Sequence, residues 1–219
     1  MKKTFTALLG CFGFVTAADG QILVGLDPVL DNGGADGWSG ITVLETPITA
    51  PGATSPNAVV THWNYYAERA DGNHSVTPLL LENAGGTYSI IGIGTTDTAS
   101  TVGIQSLGFG LTSGVNSVDT TSGNTYHAGV FQFDLVGAED TNDGTIPFAS
   151  ANGLGMFQLN VPDGHTPGLT DVVTAEHASA AGPAGRLYAV NFEYIPEPGV
   201  FGLLGLGGLL LILRRRRRG

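Results

Sequence analysis

The chain has 219 residues, with nine Lys and Arg against 19 Asp and Glu, for a formal net charge of −10. Most of the cations sit at the two ends, so residues 19–195 keep only Arg69 and Arg186 against 18 carboxylates, a net charge of −16. A surface of that sign repels nucleic acid and anionic lipid and excludes a nucleic-acid-binding role; it attracts divalent cations and basic partners.

Residues 1–18 read as a secretory signal and are predicted to be helical. Lys2 and Lys3 form the charged start, 5–15 is mostly apolar, and the small residues Ala17 and Ala18 supply a cleavage site. A second reading is open at Leu8-Leu9-Gly10-Cys11, which has the form of a lipidation box with Cys11 as the modified residue. Cys11 is the single cysteine. With ordinary cleavage the exported chain holds no disulfide, and packing alone must stabilise it.

Residues 19–194 read as one acidic extracytoplasmic all-β domain, a single jelly-roll-like β-sandwich. Nine strand-like runs are predicted at 22–26, 41–44, 58–66, 76–81, 88–93, 102–111, 125–135, 156–161 and 186–194, separated by Gly, Asn, Asp and Pro. The alternation places Phe131, Phe133 and Leu135 on one face, and sets Asn191 and Glu193 opposite Val190, Phe192 and Tyr194. Asp71-Gly72, Gly85-Gly86 and Asp143-Gly144 read as turns, while Gly92, Gly94, Gly108 and Gly110 imply bulges or close contact between strands. The stretch 163–185 lacks alternation and reads as a long surface excursion.

A catalytic site is not legible in this domain, and the expectation is a non-enzyme. No Gly-x-Ser-x-Gly elbow and no His-Glu-x-x-His occurs. His62, His74, His127, His165 and His177 lack a close metal-ligand spacing, and each reads as a strand-surface or satisfied core histidine. No cofactor is expected unless calcium binds the oxygen-rich loops 31–37 or 139–144, which otherwise read as Asx turns. Trp38, in a Gly/Asp-rich loop, is the candidate sugar contact. Trp63 and Tyr65 share one strand face and suit core packing.

The tail, 195–219, combines three units. Pro196-Glu197-Pro198 holds a carboxylate between two residues of fixed φ. Residues 200–213 carry no charge and no hydrogen-bonding side chain. As a helix they reach about 21 Å, short of a bilayer core of about 30 Å. Snorkelling arginines and local thinning make up the difference. Arg214, Arg215, Arg216, Arg217 and Arg218 then form a cytoplasmic stop.

This order of Pro-Glu-Pro, transmembrane run and Arg cluster resembles the PEP-CTERM sorting signal of Gram-negative bacteria. The resemblance covers about 25 of 219 residues. It departs in its Ile195, where valine is common, and in the short apolar run. It implies that exosortase, a membrane enzyme of the cysteine-protease type, recognises Glu197 between its prolines and cuts nearby. The protein would sit in the inner membrane first and move to the cell surface or extracellular matrix afterwards. The block from Trp63 to Gly94 is also similar to uncharacterised outer domains attached to such tails, which implies a shared sandwich. The expected function is therefore a structural surface or matrix protein. The alternative is a carbohydrate-binding module exported by the same route, with extracellular polysaccharide as partner.

Overall fold

The structure, a computed structural model, describes residues 21–25, 28, 40–44, 46–49, 57–70, 72–134, 145–150, 156–159, 166–169, 171–174 and 186–196. The signal segment, Trp38, both acidic loops and the tail after Pro196 lie outside them. The described chain is all-β and contains no helix. In chain order its strands are β1 (Ile22–Gly25), β2 (Gly40–Leu44), β3 (Asn57–Ala67), β4 (His74–Ala84), β5 (Thr87–Ile93), β6 (Asp97–Thr98) and β7 (Gly103–Gly108). They continue as β8 (Ser113–Gly114), β9 (Ser117–Asp119), β10 (Thr125–Asp134), β11 (Phe148–Ser150), β12 (Met156–Leu159), β13 (Val172–Thr174), β14 (Arg186–Tyr188) and β15 (Val190–Pro196).

Two antiparallel sheets carry the architecture. The first runs β1-β15-β3-β7, with β9 beside β7 on the same edge of β3. The second runs β12-β2-β10-β4-β5-β13, with β6 on β4 and β8 on β5. A two-stranded ladder of β11 and β14 completes the set. One apolar cluster joins the sheets face to face: Val60, Trp63, Tyr65, Val190, Phe192 and Tyr194 from the first, and Val76, Leu80, Ala128 and Val130 from the second. The opposite face of the second sheet is apolar too, with Ile41, Val43, Leu79, Leu81, Tyr88, Ile90 and Phe131 buried. Strands buried on both faces read as continuous apolar runs, which is why Leu79-Leu80-Leu81 lacks alternation.

Several predicted elements change. The run 102–111 is not one strand: β7 ends at Gly108, and the chain crosses to pair as β8 with β5 in the other sheet. Gly110 makes that crossing with φ +56, a left-handed conformation that glycine adopts freely. The 163–185 excursion contains a strand, β13, which lies along the outer edge of β5. The Gly85-Gly86 turn is as expected. Both glycines have positive φ, as a two-residue hairpin between β4 and β5 requires, and Asn83 Oδ1 accepts from the Gly86 N–H at 2.8 Å.

Pro78 stands inside β4, between β10 on one side and β5 and β6 on the other. An interior proline normally breaks a ladder because it has no N–H. The Pro78 carbonyl accepts from the Gly94 N–H at 2.8 Å, so the missing donor faces the gap where β5 ends and β6 has not begun. Gly94 has no room for a side chain there: a Cβ would sit 2.6 Å from Pro78 Cγ and 2.3 Å from the Phe109 carbonyl oxygen.

Gly92 and Gly114 face each other across β5 and β8. A Cβ on Gly92 would lie 1.9 Å from the Val115 carbonyl oxygen, a backbone atom that cannot turn aside. Gly92→Ala is therefore expected to cost at least the about 1–3 kcal/mol of an overpacked core, read as a lower urea midpoint. Gly108, grouped with these in the sequence reading, differs: its only near neighbour would be the Thr61 carbonyl oxygen at 4.0 Å.

Candidate functional site

The outward face of the first sheet carries a polar network. Its geometry begins with a bulge. In β3 the buried positions run Ala58, Val60, then Trp63, Tyr65, Ala67, so the parity changes between Val60 and Trp63. The register records the cause: Glu193 pairs with His62 but Tyr194 pairs with Val60, leaving Thr61 unmatched. The extra residue puts both apolar halves of β3 on the core side. It also turns His62 and Asn64 outward beside Asn191 and Glu193.

These groups bond mainly to one another. Asn64 Nδ2 donates to Asn191 Oδ1 at 2.8 Å and to Glu193 Oε1 at 3.1 Å. Gln21 Nε2 donates to Glu193 Oε2. His62 Nδ1 lies 3.8 Å from Glu193 Oε2 with its side chain 52% exposed. Thr61 donates its hydroxyl to the Glu193 carbonyl at 3.3 Å, so it is not aimed at the imidazole as a nucleophile would be. Asn64 and Asn191 are buried, and their mutual bond meets the cost of taking amides out of water. The arrangement ties β3 to β15.

The other histidines described are satisfied in structure. His127 is buried, with Nδ1 2.8 Å from the Leu44 carbonyl oxygen and its ring edge-on to Tyr88. His74 is buried with Nε2 3.4 Å from Arg69. His165 and His177 lie outside the described residues, as do Trp38, Glu197, Pro198 and the five arginines. Asp119 and Asp171 follow turn logic. Asp119 accepts from the Thr121 hydroxyl and N–H, which holds its carboxyl below the usual range, and Asp171 accepts from the Gly168 N–H. Among the described residues no three His, Cys, Asp or Glu converge to hold a metal, and no helix is long and apolar enough to cross a membrane.

Trp63 and Tyr65 are fully buried and stack with centroids 4.9 Å apart at 12°; Phe192, in register with Trp63, stacks at 6.3 Å. They are core residues and present no face to a sugar. Tyr65 donates to Asp97 Oδ2 at 2.6 Å. Burial first, then the hydrogen bond and charge of Asp97, push its phenol far above the ordinary 10.0. Tyr65→Phe is expected to cost about 1.5–3 kcal/mol, toward the lower value because the bond is only part-buried. The sign with pH follows from the raised folded-state value. The folded chain holds the proton more tightly than the unfolded chain, so this contribution is complete below about pH 10 and is lost as pH rises above it. Denaturation midpoints measured across that range should fall less steeply for Tyr65→Phe than for the parent.

No family model, no curated protein and no solved structure matches the chain.

Proposed function

We propose that this chain is an exported surface or matrix protein, anchored by residues 200–213 and released when exosortase acts at Pro196-Glu197-Pro198. The observation that carries the reading is the order of the three tail units: proline-flanked carboxylate, uncharged apolar run, five arginines. Each unit has a physical task. The prolines hold Ile195 and Glu197 extended, the run fixes the depth of the motif in the bilayer, and the arginines stop the chain on the cytoplasmic side. Residues 1–18 provide the export signal. The inner membrane is the site before the cut, and the cell surface or extracellular matrix the destination.

The outer domain has a structural role in this reading. That role is supported by the polar face of the first sheet, whose amides and carboxylate bond mainly to one another. We read the sandwich as a jelly roll, supported by the way successive strands alternate between sheets: β1 and β3 in the first, β2 and β4 in the second, then β7, β8, β9 and β10 in turn.

The test is an immunoblot of membrane and external fractions from an exosortase-bearing host and from its exosortase deletion. The bearing host should yield a trimmed protein outside the inner membrane, and the deletion a full-length membrane band. The same full-length membrane band in both hosts would falsify the reading.

A further inference from the structure

Between Asp97 and Asp119 the sequence carries no Asp, Glu, Lys or Arg for 21 residues. Residues 19–195 have a net charge of −16, so an uncharged stretch lets two copies approach with little local repulsion. Its exposed large side chains are apolar: Val102 at 60%, Ile104 at 51%, Leu111 and Val115. β7 runs through it and ends the first sheet. β3 pairs with one side of β7, and among the described residues no strand pairs with the other. The strand reads GIQSLG. It has no lysine, proline or charge, the devices that usually protect an open edge from pairing.

The register identifies the groups on that edge. Tyr66 donates its N–H to the Ala189 carbonyl, on the β15 side. Its register partner Ile104 therefore turns its own N–H and carbonyl away from β3. Alternation gives Ser106 and Gly108 the same orientation. A two-fold axis at Ser106 would set Ser106 opposite Ser106 and Ile104 opposite Gly108 of the second copy. Gly108 has open space where a side chain would stand, so a large residue meets a bare one, twice per pair by symmetry.

We propose that two copies of this chain pair antiparallel through β7, extending the first sheet across a two-fold axis. The neutral edge admits a second acidic copy because no charge on it opposes contact; the other long uncharged run, 46–67, holds β3, which is already paired on both sides. The interaction is independent of the tail and of its processing.

The test uses the full chain in mild detergent, by sedimentation velocity over a concentration series. The parent should pass from monomer to dimer, and Ile104→Glu should weaken association at least about tenfold, since it removes two apolar cross-strand contacts and places two carboxylates at the contact. An unchanged far-UV circular dichroism spectrum checks that the variant folds. A second measurement does not depend on that variant. In a Cys11→Ser background, Ser106→Cys should form a disulfide-linked dimer on mild oxidation, because paired residues on antiparallel strands bring Cα atoms within about 5.5 Å. Thr46→Cys, exposed outside the named strands, should not. A parent that stays monomeric, a dimer insensitive to Ile104→Glu, or no Ser106→Cys cross-link above the Thr46→Cys level would each overturn the proposal.

Discussion

Trp63→Ala is expected to cost about 3–5 kcal/mol of folding free energy, a large part of the about 5–15 kcal/mol that a domain usually has. Trp63 is the largest fully buried side chain among the described residues and sits at the centre of the stack with Tyr65 and Phe192. Truncation opens a cavity between the sheets and removes two aromatic contacts, each worth about 0.5–1.5 kcal/mol beyond buried area. The ring also has a buried Nε1 without a hydrogen-bond partner. That orphan donor carries a desolvation cost of about 1–3 kcal/mol, which Trp63→Phe removes along with part of the ring volume. The two variants should therefore separate: Trp63→Phe close to the parent and Trp63→Ala far below it, in denaturant midpoints followed by circular dichroism.

The second large effect concerns the tail. Glu197→Ala should shift the protein in an exosortase-bearing host from mostly released to mostly retained at full length in the inner membrane. The prolines stay, each with its fixed φ, and only the carboxylate is lost. Replacing Arg214 through Arg218 by serine should act differently, impairing retention before the cut because the cytoplasmic stop is gone. A Glu197→Ala chain trimmed and released like the parent would count against recognition of the carboxylate.

The fold was legible where a strand has one wet face. In β15 the alternation separated Asn191 and Glu193 from Val190, Phe192 and Tyr194, and the structure has that arrangement. In β10 both faces are buried: Val130 lies in the core between the sheets and Phe131 in the outer cluster. Alternation there named the faces without showing that neither meets water. The strands of two or three residues, such as β6, β8, β9 and β13, are too short to display a repeated alternation and exist through the partners beside them. The bulge at Thr61 did leave a trace, the spacing of three between Val60 and Trp63, but only the register with β15 turns that spacing into geometry. His62 was read as a strand-surface or satisfied core histidine. Its partner Glu193, and the Asn64–Glu193 bond between residues 129 positions apart, needed the pairing of β3 with β15 to be seen. The three units of the tail were legible by chemistry, from fixed φ, absence of polar atoms and massed charge, whereas the sorting role proposed for Pro196, Glu197 and Pro198 comes from the PEP-CTERM resemblance.

The end of β15 bears on where the proposed cut can fall. β15 runs to Pro196, which is in register with Ala58 of β3, so a protease acting before Pro196 would have to strip the strand from its sheet. Pro196 itself has no N–H for the ladder. The most direct measurement is the intact mass of the protein released by an exosortase-bearing host, which fixes its last residue. The account predicts an end at or beyond Glu197 with the apolar run and all five arginines gone. A released protein that still ends at Gly219 would contradict it.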